Sequence, residues 1–138
     1  MIWFLFNIAQ KKKKKNIQLV LVNSIVIFGF LNVLSNQGSD YIRGIMLHPP
    51  TPKQVRLHPE VFKRMENLKF LMVNNVQISE ELTYLPSGLR LLEWRKYPFD
   101  FPSNYCPQQL VALEMRGSCI RLKKIFKQVS MFNCIFEF

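Results

Sequence analysis

The sequence predicts an α/β solenoid, in which short parallel strands stack behind one another and irregular segments connect them. The main evidence is a 21-residue repeat across residues 68–120. Offsets 0, 3, 5, 8 and 10 of each repeat hold apolar or aromatic residues at fourteen of fifteen positions, in a chain that is 49% hydrophobic. One such coil cannot bury its own apolar face, so neighbouring coils must stack. The fifteen positions are Leu68, Leu71, Val73, Val76 and Ile78, then Leu89, Leu92, Trp94, Tyr97 and Phe99, then Leu110, Leu113, Met115, Ser118 and Ile120.

These offsets match the leucine-rich-repeat pattern, L-x-x-L-x-L-x-x-N-x-L at 20–29 residues per repeat. Offsets 3 and 5 are two residues apart, so their side chains point to the same side of a short strand. Offset 8, where Asn is usual, holds Val76, Tyr97 and Ser118 instead, and we therefore expect irregular coils. Trp94 and Tyr97 both occupy inward offsets, which favours a core role over a binding role for this aromatic pair.

A further coil is predicted ahead of the repeat, giving about four coils over residues 42–128. Ile42, Ile45 and Leu47 again stand at offsets 0, 3 and 5, which predicts a strand near 44–48, and the prolines that follow end it. Pro59 suits the first turn of a helix. Residues 59–66 are therefore predicted to form a helix on the convex side, with an apolar stripe of Val61, Phe62 and Met65.

The last ten residues, 129–138, are interpreted as a truncated tail or a partial repeat. Met131, Cys134 and Phe136 continue the 21-residue register at offsets 0, 3 and 5. Solenoid ends normally carry a polar cap. None follows Phe138, so we expect the repeat array to be truncated.

Residues 1–36 do not share the repeat and are predicted to form a hydrophobic, helical segment with a run of five lysines. Residues 17–34 are mostly apolar but carry several polar members. A membrane-spanning helix needs about 20 predominantly apolar residues, so this stretch is marginal. It is either a transmembrane helix with the lysines on the cytoplasmic side, a buried helix, or sequence foreign to the repeat region. Residues 37–41 are polar and predict a linker.

The composition argues against cofactor, metal and nucleic-acid sites. Of the net charge of +10, five charges come from the single lysine run, and no basic face with interleaved aromatics is evident in the sequence. His48 and His58 lack nearby second ligands, and Cys106, Cys119 and Cys134 form no C-x-x-C motif, so no metal is expected. An odd number of widely spaced cysteines favours a reducing compartment. No catalytic constellation occurs, and neither does a phosphate-binding G-x-x-x-x-G-K-[ST] loop. We therefore expect no enzyme activity and no cofactor.

Three blocks of sequence carry a family resemblance: VLSNQGSDYIRGIML, HPEVFKRMENLKFLMV and YLPSGLRLLEWRKYPFDFPSNYCPQQLVALEM. Together they resemble the start of the leucine-rich-repeat region of plant TIR-type nucleotide-binding leucine-rich-repeat disease resistance proteins. The resemblance implies a cytoplasmic receptor of plant innate immunity that functions in defence signal transduction. It also implies a protein partner, namely a pathogen effector, a guarded host protein or the receptor's own other domains. The family's TIR and nucleotide-binding modules have no counterpart in these blocks.

Residues flanking the inward positions of each strand are the candidate protein-binding positions. They would face outward on the concave side, where Glu93 would lie beside Glu114 and Arg95 beside Arg116, allowing diagonal ion pairs. Three of them, Phe70, Met72 and Leu91, would be apolar anchors. The alternative is an ordinary solvated face. The candidates are Phe70, Met72 and Asn74, then Leu91, Glu93 and Arg95, then Ala112, Glu114 and Arg116.

Three functions follow from these observations. The first is protein recognition by a fragment of an immune receptor. The second is a repeat protein anchored to a membrane through residues 17–34. The third is a truncated gene product without independent activity.

Overall fold

Parallel strands of successive coils stack into one six-stranded sheet, which forms one side of a solenoid. The computed structural model describes residues 42–121 in full, together with the backbone of 18–22 and 135–137. The sheet has the order β1-β2-β4-β6-β7-β8, and β3 pairs with β5 in a second, two-stranded sheet. The strands are β1 (Gln18–Val22), β2 (Ile42–Leu47), β3 (Lys53–Val55), β4 (Phe70–Val73), β5 (Val76–Ile78), β6 (Leu91–Trp94), β7 (Ala112–Glu114) and β8 (Ile135–Glu137).

The predicted register is confirmed across the central coils. Leu71 lies opposite Leu92, and Leu92 lies opposite Leu113, on neighbouring parallel strands. The predicted first coil is present as well, because Ile45 lies opposite Leu71. Coils of 21 residues bring equivalent residues side by side, and the first coil, which is 26 residues long, keeps the same register because its connecting segment takes up the extra length.

The side chains at the inward offsets form one continuous core. Leu71, Leu92 and Leu113 are at most 1% exposed. Trp94 and Tyr97, both 1% exposed, pack edge to face with ring centroids 5.0 Å apart. Their prediction as core residues is confirmed. Such aromatic pairs contribute about 0.5–1.5 kcal/mol beyond the area that they bury.

Offset 8 of the fourth coil, which begins at Leu110, bonds the preceding coil through a side chain. The Ser118 hydroxyl accepts a hydrogen bond from the Tyr97 backbone N–H at 2.9 Å and donates one to the Trp94 carbonyl at 3.1 Å. The two equivalent positions before it, Val76 and Tyr97, are buried apolar or aromatic side chains. This coil therefore satisfies backbone groups of its neighbour with a hydroxyl, whereas the two coils before it place a buried core side chain at the same offset.

A left-handed residue follows the strand at the same offset in three successive coils. Asn75, Lys96 and Gly117, all at offset 7, have φ of 55°, 58° and 68°. Glycine adopts this conformation without steric cost and asparagine tolerates it, but a lysine is strained there. The turn geometry is thus repeated even where the residue type opposes it.

The helix predicted for residues 59–66 is wrong, and no residue between 42 and 121 is in a helix. A series of tight turns takes its place. The predicted stripe is nevertheless fully buried. Helix nucleation is unfavourable, and so short a segment gains few bonds after it, whereas isolated turns satisfy the backbone locally. Backbone amides bond carbonyls three residues back, at every second position: Val61 to His58, Lys63 to Glu60 and Met65 to Phe62.

Only part of the two ends is described. Within the predicted helix at 17–34, residues 18–22 form the strand β1, which pairs with the edge of β2 and satisfies its backbone groups. The rest of 1–36 and the linker at 37–41 lie outside the described residues. Among the residues that are described, no helix is long and apolar enough to cross a membrane.

The predicted register of the C-terminal tail differs from the observed one. At that end β8 pairs with β7, with Phe136 opposite Leu113. Phe136 therefore takes offset 3 instead of the predicted offset 5, because two extra residues separate these strands. Met131 and Cys134 lie outside the described residues.

Candidate functional site

The nine candidate positions lie on the sheet face that points away from the core, here named the open sheet face. Register aligns Phe70 with Leu91 and Ala112, and it aligns Met72 with Glu93 and Glu114. Most of these side chains are half-buried. Leu91 is only 6% exposed, so it offers little surface to a partner. Phe70 and Met72 are the more accessible apolar groups.

Two arginines and two glutamates form a connected chain of ion pairs on this face. Arg95 contacts Glu93 at 3.5 Å and Glu114 at 3.0 Å, and Arg116 contacts Glu114 at 3.4 Å. The contact between Arg95 and Glu114 is the diagonal pair that the sequence predicts. Glu93 is 5% exposed, and burying a carboxylate is costly unless a cation pairs with it. The charges of this part of the face therefore largely neutralise one another.

A depression of about 290 Å³ adjoins these ion pairs. Met46 lies opposite Met72 in the sheet, and both line the depression with His48 and Asn74. Methionine is flexible and polarisable, so it adapts to differently shaped apolar partners. Met46 and His48 were missed from the sequence, although they stand at offsets 4 and 6 of the first coil, equivalent to Met72 and Asn74.

A second depression, of about 600 Å³, lies where the strands begin. Arg43, Lys69 and Arg90 line it together with Phe70 and Gln109. The sequence did contain a signal for this cluster, because all three cations stand at offset 1 of successive coils. The repeat pattern assigns binding positions only to the residues that flank the inward pair of each strand, and offset 1 is not among them.

The described residues hold no group of three or more His, Cys, Asp or Glu side chains that could bind a metal ion. Cys106 and Cys119 are both free thiols. Burial raises the pKa of Tyr97 to about 12, and it also raises the pKa of Tyr105. Both tyrosines belong to the aromatic core, so these shifts report packing.

Stacked parallel strands with a repeating apolar register define a solenoid of the leucine-rich-repeat type. Comparison with proteins of similar sequence identifies the family. The chain is 34% identical over 105 residues to the disease resistance protein RPS6 of Arabidopsis thaliana, covering 68% of this chain and 9% of that protein. It is 31% identical over 99 residues to RPP2B (62% and 8%) and 38% identical over 74 residues to RML1B (47% and 7%), both from the same plant.

The resemblance is thereby confirmed: this chain is a homologue of plant disease resistance proteins of the TIR-type nucleotide-binding leucine-rich-repeat class. It spans less than a tenth of the length of these relatives. No family model matches the chain. No solved structure matches it either.

Proposed function

We propose that this chain is a repeat segment of a plant immune receptor and that it recognises another protein through its open sheet face during defence signalling. Its relatives are disease resistance proteins, and stacked repeats of this kind create extended binding surfaces. The observation that carries the proposal is the arrangement of half-buried apolar side chains beside an ion-pair chain on one face.

The apolar part of this face supplies the contact area. Met46 and Met72 lie side by side, and Phe70 is next to them along the sheet. Interfaces gain most of their affinity from a few such groups that become fully desolvated on binding, surrounded by polar groups that fix orientation. Arg95 and Arg116, which are 40% and 55% exposed, lie at the border of the apolar part and could exchange intramolecular pairs for contacts with a partner.

The proposal assigns the chain a binding role, without catalysis or a cofactor, in the cytoplasm. The partner belongs to one of three groups: a pathogen effector, a guarded host protein, or other domains of the same receptor. Two free cysteines fit a reducing compartment.

The test compares what the chain binds before and after substitutions confined to the open sheet face. The full chain, carrying an affinity tag, is expressed in leaf cells, and bound proteins are quantified by mass spectrometry. One variant combines Met46→Ser with Met72→Ser, and a second combines Arg95→Gln with Arg116→Gln. The matched control, Arg56→Gln with Lys63→Gln, removes two exposed positive charges away from this face.

We expect both face variants to lose the same specific set of proteins, while the control retains that set. Circular dichroism of each purified variant shows whether folding is intact. The proposal is wrong if the folded face variants retain every protein that the unsubstituted chain binds, or if the control loses the same set.

A further inference from the structure

Three cations form a column across the strands at the N-terminal edge of the sheet. The backbone ladder fixes their neighbourhood, because the Lys69 N–H bonds the Arg43 carbonyl and the Arg90 N–H bonds the Lys69 carbonyl, each at 2.8 Å. Neighbouring strands lie about 4.8 Å apart, so the outer two backbone positions are about 10 Å apart. This set, Arg43, Lys69 and Arg90, is named the basic column.

The central lysine of the basic column is held in place by its surroundings. Its ammonium donates a hydrogen bond to the Gln109 side-chain oxygen at 3.1 Å. It also lies directly over Gly88, where an added Cβ would come within 2.8 Å of the Lys69 nitrogen. The absence of a side chain at residue 88 therefore creates the space that Lys69 occupies at the edge of the depression.

The basic column is not neutralised within the part of the chain that the structure describes. Every ion pair there involves other cations, and on the open sheet face the carboxylates of Glu93 and Glu114 pair with Arg95 and Arg116. Like charges on neighbouring strands repel one another, and a bound anion relieves that repulsion. The sheet thus carries one group of charges that are paired with one another and, at its N-terminal edge, a second group that has no carboxylate partner among the described residues.

We propose that the basic column binds an extended acidic segment of the partner protein, which runs across the strands with its carboxylates over the three cations. Alternate residues of an extended segment point the same way about 7 Å apart, a spacing that long Lys and Arg side chains can reach. Phe70, which lines the depression, would contact an apolar residue of that segment. This inference rests on the proposed function, and it adds that the recognised protein carries an acidic segment.

The neighbouring groups favour an acidic protein segment over a nucleic acid. A nucleic acid would need phosphate contacts along a longer path and aromatic side chains free to stack on bases. Among the described residues, Phe70 is the single aromatic residue that lines the depression, and it is half-buried.

The test measures binding of a fluorescein-labelled ten-residue peptide of alternating Glu and Ser to the full chain by fluorescence anisotropy. A peptide of alternating Gln and Ser, a ten-nucleotide oligothymidylate and inorganic phosphate are measured in parallel. The column variant is Arg43→Gln, Lys69→Gln and Arg90→Gln. Its control, Lys53→Gln, Arg56→Gln and Lys63→Gln, removes the same charge elsewhere.

Gly88→Ala provides a test without any change in charge. Because residue 88 has no left-handed backbone, alanine is tolerated there, but its Cβ must displace the Lys69 ammonium. We expect this variant to bind the acidic peptide about threefold more weakly, which corresponds to the loss of one exposed charge contact.

The inference predicts that the acidic peptide binds and the Gln peptide does not, and that the column variant weakens binding about tenfold or more. It also predicts that the charge-matched control changes binding less than twofold, roughly the limit for remote exposed charges. Equal losses in both triple variants would show general attraction to a basic chain and would overturn it. Oligothymidylate or phosphate binding more tightly than the peptide, with the same dependence on the column, would also overturn it.

The proposed function and this inference can fail separately. If the column variant still retains the proteins that depend on Arg95 and Arg116 in leaf cells, recognition by the open sheet face stands. The acidic-segment inference would then be wrong.

Discussion

The strand side and the connecting side of each coil bury their apolar residues equally well, yet a strand recurs in every coil only on the strand side; on the connecting side of the described coils just β3 and β5 pair. Leu71 and Leu92 on the strands and Phe62 in the connection are all 0% exposed. On the strand side, equivalent residues meet in register. The first connecting segment is a series of tight turns. An apolar pattern therefore determines which residues face inward, but it does not by itself determine the path of the backbone.

Backbone hydrogen bonding explains the difference. A strand satisfies its N–H and C=O groups only through a neighbouring strand, so the strands of adjacent coils hold one another in register. The turns of the connecting side bond locally, over three residues. Within the described residues, only isolated bonds, such as that from the Thr83 N–H to the Pro59 carbonyl, join these turns to the next coil, so they are not held to a repeating backbone path.

The largest predicted effects come from creating a cavity on either side of the coil. Leu92→Ala and Phe62→Ala should each lower the free energy of unfolding by about 3–5 kcal/mol, because both remove fully buried side chains. Urea denaturation followed by circular dichroism measures this. Val111→Ala, at a residue that is 46% exposed, is the control and should cost less than about 0.5 kcal/mol. A cost below 1 kcal/mol for Phe62→Ala alone would show that the connecting side is loosely packed.

Alkaline pH should destabilise the protein through its buried tyrosines. Burial raises the pKa of Tyr97 to about 12, above its ordinary value of 10.0. The folded state then retains a proton that the unfolded state releases, so stability is fully present below pH 10 and falls as the pH rises to 12. We expect a loss of about 1–2 kcal/mol over this window.

Urea titrations at several pH values measure this loss, and Tyr97→Phe should reduce it. The loss should not vanish in that variant, because Tyr105 is shifted in the same direction. An unchanged slope in Tyr97→Phe would show that Tyr97 is not protected from ionisation.

The left-handed turn tests whether geometry common to the coils outweighs residue type. Gly117→Ala should destabilise by about 1–2 kcal/mol, because φ is 68° there. Lys96→Gly should stabilise by about 0.5–1 kcal/mol, because it relieves strain at φ 58°. Thermal melts of both variants measure these opposite shifts. If both variants shift the midpoint in the same direction, the turn is not the common feature described here.

The Ser118 hydroxyl tests the link between two coils. Ser118→Ala removes both bonds to the Trp94–Tyr97 segment and should cost about 1 kcal/mol. Ser103→Ala, at an exposed serine, is the matched control. Urea midpoints compare the two. Equal effects would show that the bridge contributes nothing.

The smallest predicted effect belongs to the open sheet face. A double-mutant cycle with Arg95→Ala and Glu114→Ala should give a coupling of about 0.3–1 kcal/mol, typical of partly exposed pairs. Raising the salt concentration should reduce it. A coupling near zero at low salt would show that the chain of ion pairs does not organise this face.

The sequence predicted best where one spacing repeats. Leu71, Leu92 and Leu113 could be aligned because each strand depends on its neighbour, and the diagonal pair of Arg95 with Glu114 followed from that alignment. Phe136 was misaligned because its spacing differs by two residues. Residues 59–66 carry an apolar stripe at helical spacing, which predicts a helix. The prediction is wrong because a series of turns buries the same stripe equally well.

The candidate site was predicted only in part. Leu91 faces the expected side but is nearly covered by its neighbours. Its burial depends on the packing of those side chains, which the spacing of the repeat does not predict. Lys69 and its cationic neighbours were overlooked, although their common offset was visible. The place of Lys69 over Gly88 could not be read from spacing, because it depends on the path of a connecting segment.

Cysteine cross-linking tests most directly that coils of equal length place equivalent residues side by side. With the three native cysteines replaced by serine, Met72→Cys and Glu93→Cys stand opposite each other on adjacent strands. Their Cα atoms should lie about 5 Å apart, within the range of a disulfide. Met72→Cys with Arg95→Cys, two residues out of register, is the control. We predict rapid intramolecular oxidation of the first pair and little of the second; equal rates, or no bond between residues 72 and 93, would contradict the stacked-coil account.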